Sequence, residues 1–229
     1  MKKKKLSIAE IVDFLGSDLL ELYGSIDGVF IDNITDAERV NETTLDWINP
    51  SKANKQEIAE SSKAKVILVE GTIDYSYNLQ NQNKILIVVE NPKKILARIG
   101  NNFFVKKVQP FIDPSAIIDK DAIIGDNAYI GPNCVLGKSS IGNNCIIDSN
   151  VRIHDNVILG NGCAVKSGAV LGGEGFGFEK DANGNRFRFP QIGRLIIGNN
   201  VEIGSNTTVD RGALSDTIIS DFTKISNLC

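Results

Sequence analysis

Few residues of this chain are of the types that carry out chemistry. Its 229 residues include one His, His154, and four Cys. A metal site built from several histidines is therefore excluded, and a catalytic triad would have to use His154. The 25 basic and 28 acidic residues nearly cancel, which argues against the strongly basic surface typical of nucleic-acid binding.

Two stretches combine glycine with polar and aromatic residues, a composition suited to ligand binding. The first contains Gly-Gly-Glu-Gly-Phe-Gly-Phe (172–178), then an Asn- and Gly-rich middle, then Pro190 and Gln191. Its flanks favour a β-hairpin, along which four rings alternate: Phe176, Phe178, Phe187 and Phe189. These rings form either a hydrophobic cluster that holds the hairpin to its domain or an apolar lip for an acyl chain or a pantetheine arm.

The glycines of the first stretch, Gly175 and Gly177, allow close approach of a ligand in either case. The second stretch is Asp210-Arg211-Gly212. Asp210 and Arg211 form either a local ion pair that stabilises a turn or a polar pair that faces a groove and binds substrate.

The element that must position both stretches is a repeat of six residues. Ile or Leu recurs at this spacing from Ile112 to Leu136, and the series continues from Ile141 to Leu171 with Val165 among its members. The pattern returns at Ile197, Ile203 and Val209. A period of six is typical of a parallel β-helix, in which three short strands, about 18 residues, complete one coil. Gly and Asn at the corners tolerate the positive φ that the turns require.

A second inward position follows each aliphatic residue by four. It is predicted to hold small residues, which include Ser140 and all the cysteines: Cys134, Cys145, Cys163 and Cys229. We therefore interpret the cysteines as interior fillers and not as disulfide partners or metal ligands.

The first half of the chain has the pattern of an ordinary α/β domain. Ser7 and Glu10 form a predicted capping box for a helix that Gly16 ends. Strands are predicted at Val29–Ile34, Val66–Val69 and Ile85–Val89. Pro92–Ile99 is predicted as a helix with Asn91 at its N-cap. We place the domains at residues 1–107 and 108–229.

No stretch has the pattern of a membrane span or a secretory signal. Glu10, Asp13 and Asp18 interrupt the apolar residues between Leu6 and Leu20. The longest apolar runs are far shorter than the roughly 20 residues needed to cross a bilayer. The expected compartment is the cytoplasm, where free thiols also persist.

The two glycine-containing stretches resemble one family. The motifs are Gly-Gly-Glu-Gly-Phe-Gly-Phe (172–178), Phe-Pro-Gln-Ile-Gly-Arg (189–194) and the segment 201–217, which contains Asp210-Arg211-Gly212. They are similar to those of UDP-3-O-acylglucosamine N-acyltransferases, hexapeptide-repeat enzymes of lipid A biosynthesis. The order of a uridine-binding α/β domain and a left-handed β-helix also agrees.

This resemblance implies a cytoplasmic homotrimer without a metal or a cofactor. Such an enzyme transfers a 3-hydroxyacyl chain from the phosphopantetheine thioester of acyl carrier protein to the 2-amino group of a UDP-sugar. The substrate groove is implied at Gly175, Phe176, Gly177, Phe178, Pro190, Gln191, Asp210, Arg211 and Gly212. The uridine site is implied at Trp47, Asn49 and Lys52.

Several departures from the family pattern accompany the resemblance. The family's catalytic His would follow Cys229, so we expect a fragment of a longer protein, inactive alone and with no catalytic residue of its own. Ser226 stands where the family has Asp, Lys52 stands where it has Tyr, and Trp47 lies one position closer to Asn49 than the usual aromatic. His154 follows an inward Ile and is expected at the surface.

Three alternatives remain open at the level of sequence. The protein is a paralogue that acylates another nucleotide amino sugar, a catalytically inactive trimeric scaffold, or a hexapeptide acetyltransferase that uses acetyl-CoA. Binding of nucleotide sugars distinguishes the first from the leading interpretation.

Overall fold

The computed structural model describes residues 5–229, which divide into two compact units between Lys106 and Lys107. The helices of the first unit are α1 (Ile8–Leu15), α2 (Lys55–Ser61), α3 (Tyr77–Asn81) and α4 (Pro92–Ile99), with short helical turns at Gly16–Asp18, Ala37–Arg39 and Gly100–Phe104. Its strands are β1 (Leu6–Ser7), β2 (Leu19–Tyr23), β3 (Phe30–Ile31), β4 (Leu45–Trp47), β5 (Val66–Val69) and β6 (Ile85–Val89). Strands β2, β6, β5 and β4 form one sheet in this order, and β1 pairs with β3.

Local sequence signals account for the two predicted helices. The Ser7 hydroxyl accepts a 3.2 Å hydrogen bond from the backbone N–H of Glu10, whose carboxylate accepts a 2.9 Å bond from the N–H of Ser7. Gly16 ends α1 with a φ of 50°. Helix α4 begins at Pro92, and the Asn91 side chain caps it by accepting a 3.0 Å bond from Lys94 N–H. Both predicted helices are confirmed.

The predicted strands Val66–Val69 and Ile85–Val89 are confirmed as β5 and β6, which pair in parallel at the buried centre of the sheet. Their continuous apolar sequences suit strands that are covered on both faces. The prediction for Val29–Ile34 is too long, since β3 comprises only Phe30–Ile31. After Ile31 the chain leaves β1, and Asp32 N–H donates to the carbonyl of Thr43 at 2.9 Å.

The second unit consists of short strands in three parallel sheets and one antiparallel pair. In chain order the strands are β7 (Phe111–Ile112), β8 (Ile117–Ile118), β9 (Ile123–Ile124), β10 (Tyr129–Ile130), β11 (Val135–Leu136), β12 (Ser140–Ile141), β13 (Ile146–Ile147), β14 (Arg152–Ile153), β15 (Val157–Leu159), β16 (Ala164–Val165), β17 (Val170–Gly173), β18 (Phe178–Lys180), β19 (Arg186–Arg188), β20 (Leu195–Ile197), β21 (Glu202–Ile203), β22 (Thr208–Asp210), β23 (Thr217–Ile219) and β24 (Lys224–Ile225).

Successive strands visit the three parallel sheets in turn, so the chain winds into a prism. The sheets have the orders β24-β21-β16-β13-β10-β7, β22-β17-β14-β11-β8 and β23-β20-β15-β12-β9. The aliphatic residues of the six-residue repeat point inward and form the core, which contains Ile130, Leu136, Ile141, Ile147, Ile153, Leu159, Val165, Leu171, Ile197 and Ile203. The predicted left-handed parallel β-helix, joined to an α/β unit, is confirmed.

Asparagines at the corners of the prism have the backbone conformation that the sequence predicts. Asn144, Asn150 and Asn156 adopt left-handed conformations with φ of 56°, 59° and 63°. Neighbouring asparagines also join successive coils: the Asn161 side chain accepts a 2.8 Å bond from Asn143 N–H, and Asn199 does the same for Asn161 at 2.9 Å. Side chains therefore satisfy backbone donors where the sheets are interrupted.

Two predicted interior positions are corrected by the structure. Ser139 is the buried residue and Ser140 is only partly buried, because one residue fewer separates Leu136 from Ile141 than in the other repeats. Cys134, Cys145 and Cys163 are buried as predicted, whereas Cys229 is exposed. Three of the four cysteines are therefore interior residues of the prism.

Candidate functional site

A β-hairpin leaves the prism between β17 and β20, as the glycine-rich stretch predicts. Strands β18 and β19 pair antiparallel, with Phe178 opposite Arg188 and Phe187 opposite Glu179. Side chains of adjacent residues point to opposite faces, so Phe178 and Phe187 lie on different sides of the hairpin. Phe176 contacts Phe178 edge to face, with ring centroids 5.0 Å apart. The four rings therefore do not form the single cluster that was one of the two interpretations.

The base of the hairpin is joined to the second glycine-containing stretch. Gly173 lies opposite Asp210 where β17 pairs with β22, at an irregularity in their register. The Arg211 N–H donates to the Gly173 carbonyl and its Nε donates to the Gly172 carbonyl, both at 2.9 Å. The two interruptions of the repeat, which are far apart in sequence, thus form one continuous surface.

The chain that returns from the hairpin packs against the same loop. Ile192 N–H donates to the carbonyl of Ala213 at 2.7 Å, and Gly193 N–H donates to that of Gly212 at 3.0 Å. A Cβ atom at Gly212 would lie 1.8 Å from the carbonyl oxygen of Ser215, so only glycine fits there. Close backbone packing is therefore one reason for glycine at this position.

The remaining predicted groove residues lie along the lower part of the hairpin. The Gln191 side chain covers the backbone of Gly175, where a Cβ atom would come within 2.8 Å of Oε1. Gln191 also donates through Nε2 to the carbonyl of Phe189 at 3.2 Å. Gly177 lies in the same contact, while Pro190 is exposed beside it. The structure thus brings three of the predicted groove residues together: Gly175, Gly177 and Gln191. Phe176 and Phe178 lie on the exposed surface of the hairpin.

Asp210 and Arg211 have separate environments. Arg211 is half-buried and its guanidinium bonds to a carbonyl, whereas the Asp210 carboxylate is exposed. Within residues 5–229, the structure shows no ion pair between them, so the interpretation as a local ion pair is wrong. A fixed Arg and a free carboxylate at one surface are suited to a polar ligand.

His154 lies next to this surface, a position that the sequence did not predict. The backbone N–H of His154 donates to the Leu171 carbonyl at 2.9 Å. A Cβ atom added at Gly172 would lie 3.5 Å from the Cβ of His154. Burial lowers the pKa of the half-buried imidazole, and the charges of Arg152 and Arg211 lower it further. The opposing effects of Asp155 and Glu174 are smaller. The surroundings of His154 therefore favour its neutral form.

In the first unit, the predicted uridine-site residues do not share one cavity. Trp47 lines an apolar cavity of about 360 Å³ together with Ile34, Leu96 and Ala97. Asn49 is exposed in the turn that follows β4, where its side chain accepts a 3.0 Å bond from Ser51 N–H. Lys52 is exposed in the same turn. Trp47 thus has an apolar neighbourhood, and Asn49 and Lys52 lie in an exposed turn.

Comparison with known proteins agrees with this architecture. A family model described as bacterial transferase hexapeptide (six repeats) matches residues 109–138 and 138–173. Residues 109–173 are therefore similar to hexapeptide repeats of bacterial transferases. Among curated relatives, UDP-3-O-acylglucosamine N-acyltransferase of Fusobacterium nucleatum is 56% identical over 66 residues, or 29% of this chain and 20% of that protein. The enzyme of the same name from Aromatoleum aromaticum is 54% identical over 61 residues, or 27% and 18%.

The predicted resemblance to UDP-3-O-acylglucosamine N-acyltransferases is confirmed for these segments. The chain spans only about one fifth of the length of those relatives. Among solved structures, Francisella novicida UDP-N-acetylglucosamine acyltransferase aligns with a TM-score of 0.41 and 25% identity, covering 51% of this chain and 46% of that chain. Within residues 5–229, no helix is long and apolar enough to cross a membrane.

The first unit also holds a polar cavity that the sequence did not predict. It has a volume of about 630 Å³ and is lined in part by Lys63, Lys65 and Lys84. The Lys84 ammonium group donates to the carbonyls of Ser62 and Ala64, and burial lowers its pKa. Because Lys84 binds carbonyls that follow α2, its first role is to cap that helix. No spacing signal in the sequence connects these lysines.

Proposed function

We propose that this protein is an N-acyltransferase of lipid A biosynthesis. It transfers a 3-hydroxyacyl chain from acyl carrier protein to the 2-amino group of UDP-3-O-acylglucosamine. The observation that carries the proposal is the 56% identity over 66 residues to an enzyme of this name. The joined surface at the base of the hairpin supports it, because acyl transfer needs a groove that holds both an acyl chain and a polar acceptor.

The proposed reaction forms a C–N bond and breaks a C–S bond. The acceptor amine attacks the thioester carbonyl in its neutral form, a base removes the amine proton, and the departing thiolate takes up a proton. Backbone N–H groups stabilise the negative oxygen of the tetrahedral intermediate. No metal or cofactor is required in this scheme, and the phosphopantetheine thioester is a co-substrate. We assign no residue of this chain as the base.

Each predicted site residue receives a role within the proposal. Gly175, Gly177 and Gln191 form the floor of the acyl groove, and Phe176, Phe178 and Pro190 supply its apolar rim. Asp210 binds a polar group of the acceptor, while Arg211 and Gly212 fix the loop that carries it. Trp47, Asn49 and Lys52 bind the nucleotide. We further propose a homotrimer that acts in the cytoplasm.

A second candidate is a paralogue that acylates a different nucleotide amino sugar. The exposed Lys52 favours it, since a base held between two aromatic rings would need a second ring at this position. This candidate keeps the acyl groove and changes only the nucleotide.

Binding of nucleotide sugars tests the proposal and separates it from the paralogue. Titration calorimetry with UDP-, GDP- and dTDP-linked amino sugars is expected to give binding of the UDP-sugar alone. Trp47→Ala is expected to weaken that binding at least tenfold, while Tyr77→Ala, which removes an exposed aromatic residue of the same unit, leaves it unchanged. Absence of UDP-sugar binding together with tight binding of another nucleotide sugar would establish the paralogue.

Acyl transfer itself is measured on the product of the complete gene. Release of free thiol from 3-hydroxyacyl-acyl carrier protein is expected only when UDP-3-O-acylglucosamine is present. Thiol release with acetyl-CoA but not with acyl carrier protein would instead indicate an acetyltransferase. If the nucleotide sugar binds but neither donor reacts, the protein is an inactive scaffold.

A further inference from the structure

One face of the hairpin concentrates positive charge and aromatic rings. In the antiparallel pair, Lys180 lies opposite Arg186 and Phe178 lies opposite Arg188. Directly opposed side chains share a face, so these four residues lie together with Phe176, which contacts Phe178. We call this set the basic face: Phe176, Phe178, Lys180, Arg186 and Arg188. Glu179 and Phe187 occupy the other face.

The charges and rings of the basic face have few partners within the described part of the chain. Lys180 and Arg186 are exposed cations placed directly opposite one another, an arrangement that destabilises a strand pair. Neither has an ion-pair partner in the part of the chain that the structure describes. Arg188 contacts Glu174 at 3.5 Å, but both side chains are more than half exposed, and such pairs contribute little. Phe176 is 93% exposed.

These features together are those of an unfilled binding surface. A negatively charged partner would relieve the repulsion between Lys180 and Arg186, and guanidinium groups suit the geometry of carboxylates. The exposed rings of Phe176 and Phe178 provide the apolar contact that anchors such a partner. The Arg188 guanidinium lies over the Phe178 ring, 5.2 Å from its centroid. The charged group and the ring can therefore contact the same partner.

We infer that the basic face is the docking surface for an acidic carrier protein that delivers the acyl thioester. This inference rests on the proposed function, because it names the surface that the donor uses. The hairpin begins at Gly172 and Gly173, which bond to Arg211, so a carrier on the basic face lies next to the glycine-rich stretch where the acyl groove is proposed. The thioester arm reaches the groove by following the hairpin toward its base.

The tip of the hairpin argues for a protein partner and against a membrane. Asp181 lies at the tip and accepts bonds from the N–H groups of Asn183 and Asn185, at 2.9 and 2.8 Å. A hairpin that inserts into an anionic lipid surface would carry apolar or basic residues there, whereas this tip is polar and acidic. Contact through the side of the hairpin leaves Asp181 in water and uses only the basic face.

Charge reversal on the basic face tests the inference. In Lys180→Glu/Arg186→Glu, one pair of opposed like charges replaces another, so the stability of the hairpin changes little. The matched control is Lys63→Glu/Lys120→Glu, which makes the same change in net charge at exposed positions elsewhere. The affinity for 3-hydroxyacyl-acyl carrier protein is measured by surface plasmon resonance at two salt concentrations, with UDP-sugar binding measured on the same samples.

The expected result is binding at least tenfold weaker for the hairpin variant and less than twofold weaker for the control. Affinity of the unaltered protein should fall as salt increases. The exchange variant Lys180→Arg/Arg186→Lys, which conserves charge, should bind normally. Circular dichroism is expected to show equal folding of all variants.

Other outcomes overturn the inference in distinguishable ways. Equal carrier binding by the hairpin variant and the unaltered protein would place the docking surface elsewhere and leave the proposed function intact. No carrier binding by the unaltered protein would reject both the docking surface and the proposed donor, while UDP-sugar binding reports separately on the acceptor. Hairpin-dependent binding to anionic phosphatidylglycerol vesicles, or hairpin-dependent self-association, with no carrier binding would assign the face to a membrane or to a second copy.

Discussion

Arg211 holds the base of the hairpin through a 2.9 Å hydrogen bond from its Nε to the carbonyl oxygen of Gly172. The two residues belong to different coils, and their contact fixes the one place where β17 and β22 are out of regular register. The bond is half-buried and has a charged donor, which makes it stronger than a neutral hydrogen bond. This side chain therefore fixes the base of the hairpin together with the backbone bonds of Arg211, Ile192 and Gly193.

Removal of the Arg211 side chain is expected to loosen the hairpin without unfolding the prism. Arg211→Ala should lower the free energy of unfolding by about 1.5–3 kcal/mol, the usual range for a hydrogen bond to a charged group. Hydrogen exchange should accelerate at Gly193 and at the amide of residue 211, which donates to the Gly173 carbonyl, while the centre of the prism stays protected. Denaturant unfolding and exchange mass spectrometry measure the two effects.

Arg152→Ala is the matched control, since it removes a half-buried Arg from the neighbouring strand β14. It should leave exchange at the hairpin base unchanged. Equal loss of protection in both variants would show that local charge, and not the bond to Gly172, holds the hairpin.

Close backbone packing at Gly212 provides a second prediction. A Cβ atom there would lie 1.8 Å from the Ser215 carbonyl oxygen, so Gly212→Ala must displace the loop backbone. Overpacking of this kind costs about 1–3 kcal/mol. Gly71→Ala is the control, because its Cβ would meet only a Val88 methyl group at 3.8 Å. If urea unfolding gives the same midpoint for both variants, the loop is not constrained as described.

The six-residue repeat made most of the second unit predictable, since each inward aliphatic residue occupies an equivalent position in the prism. The predictions are wrong where the spacing departs from six residues. Counting four residues forward from Leu136 gives Ser140, whereas counting two back from Ile141 gives Ser139, the residue that is buried. The spacing of five residues between Leu136 and Ile141, in place of six, was visible in the sequence. It shows that the interior position is fixed relative to the aliphatic residue that follows it.

The contacts of the candidate site were less predictable than its residues. The sequence left open whether Arg211 pairs with Asp210, because that choice depends on where another coil places a carbonyl group. His154 was expected at the surface for its corner position, but stacking of β14 on β17 brings it beside Gly172. Such neighbours follow from the way in which coils stack, and a single sequence repeat does not specify them.

The cysteines give a prediction in which solvent exposure of a thiol decides its rate of alkylation more than its pKa does. The neighbouring Cys145 thiol lowers the pKa of Cys163, yet Cys163 is only 1% exposed. Burial raises the pKa of Cys134. Iodoacetamide at neutral pH should therefore modify Cys229 rapidly and the three buried thiols only after unfolding.

Peptide mass spectrometry measures this labelling, and the same reaction in guanidinium should modify all four cysteines. The Cys229→Ser variant serves as the control and should remain unlabelled in its folded state. Fast modification of Cys163 in the folded protein would contradict the closed core of the prism.

His154 should make stability depend on pH in one direction. Its pKa in the folded protein lies below the ordinary value of 6.5, chiefly because of burial and then because of Arg152 and Arg211. Below about pH 6.5 the unfolded chain therefore binds more protons, and the free energy of unfolding decreases as pH falls. Above that pH the imidazole is neutral in both states and this contribution to the pH dependence vanishes.

His154→Gln should therefore lose less stability than the unaltered protein between pH 6.5 and 5, as measured by guanidinium unfolding. NMR titration of the single imidazole should give a pKa below 6.5, and Arg152→Gln should raise it, since that variant removes a nearby positive charge. A titration at or above 6.5 would contradict the half-buried placement. Because no catalytic role is assigned to His154, His154→Gln should also retain any acyl transfer activity, and loss of transfer with unchanged folding would make His154 the base.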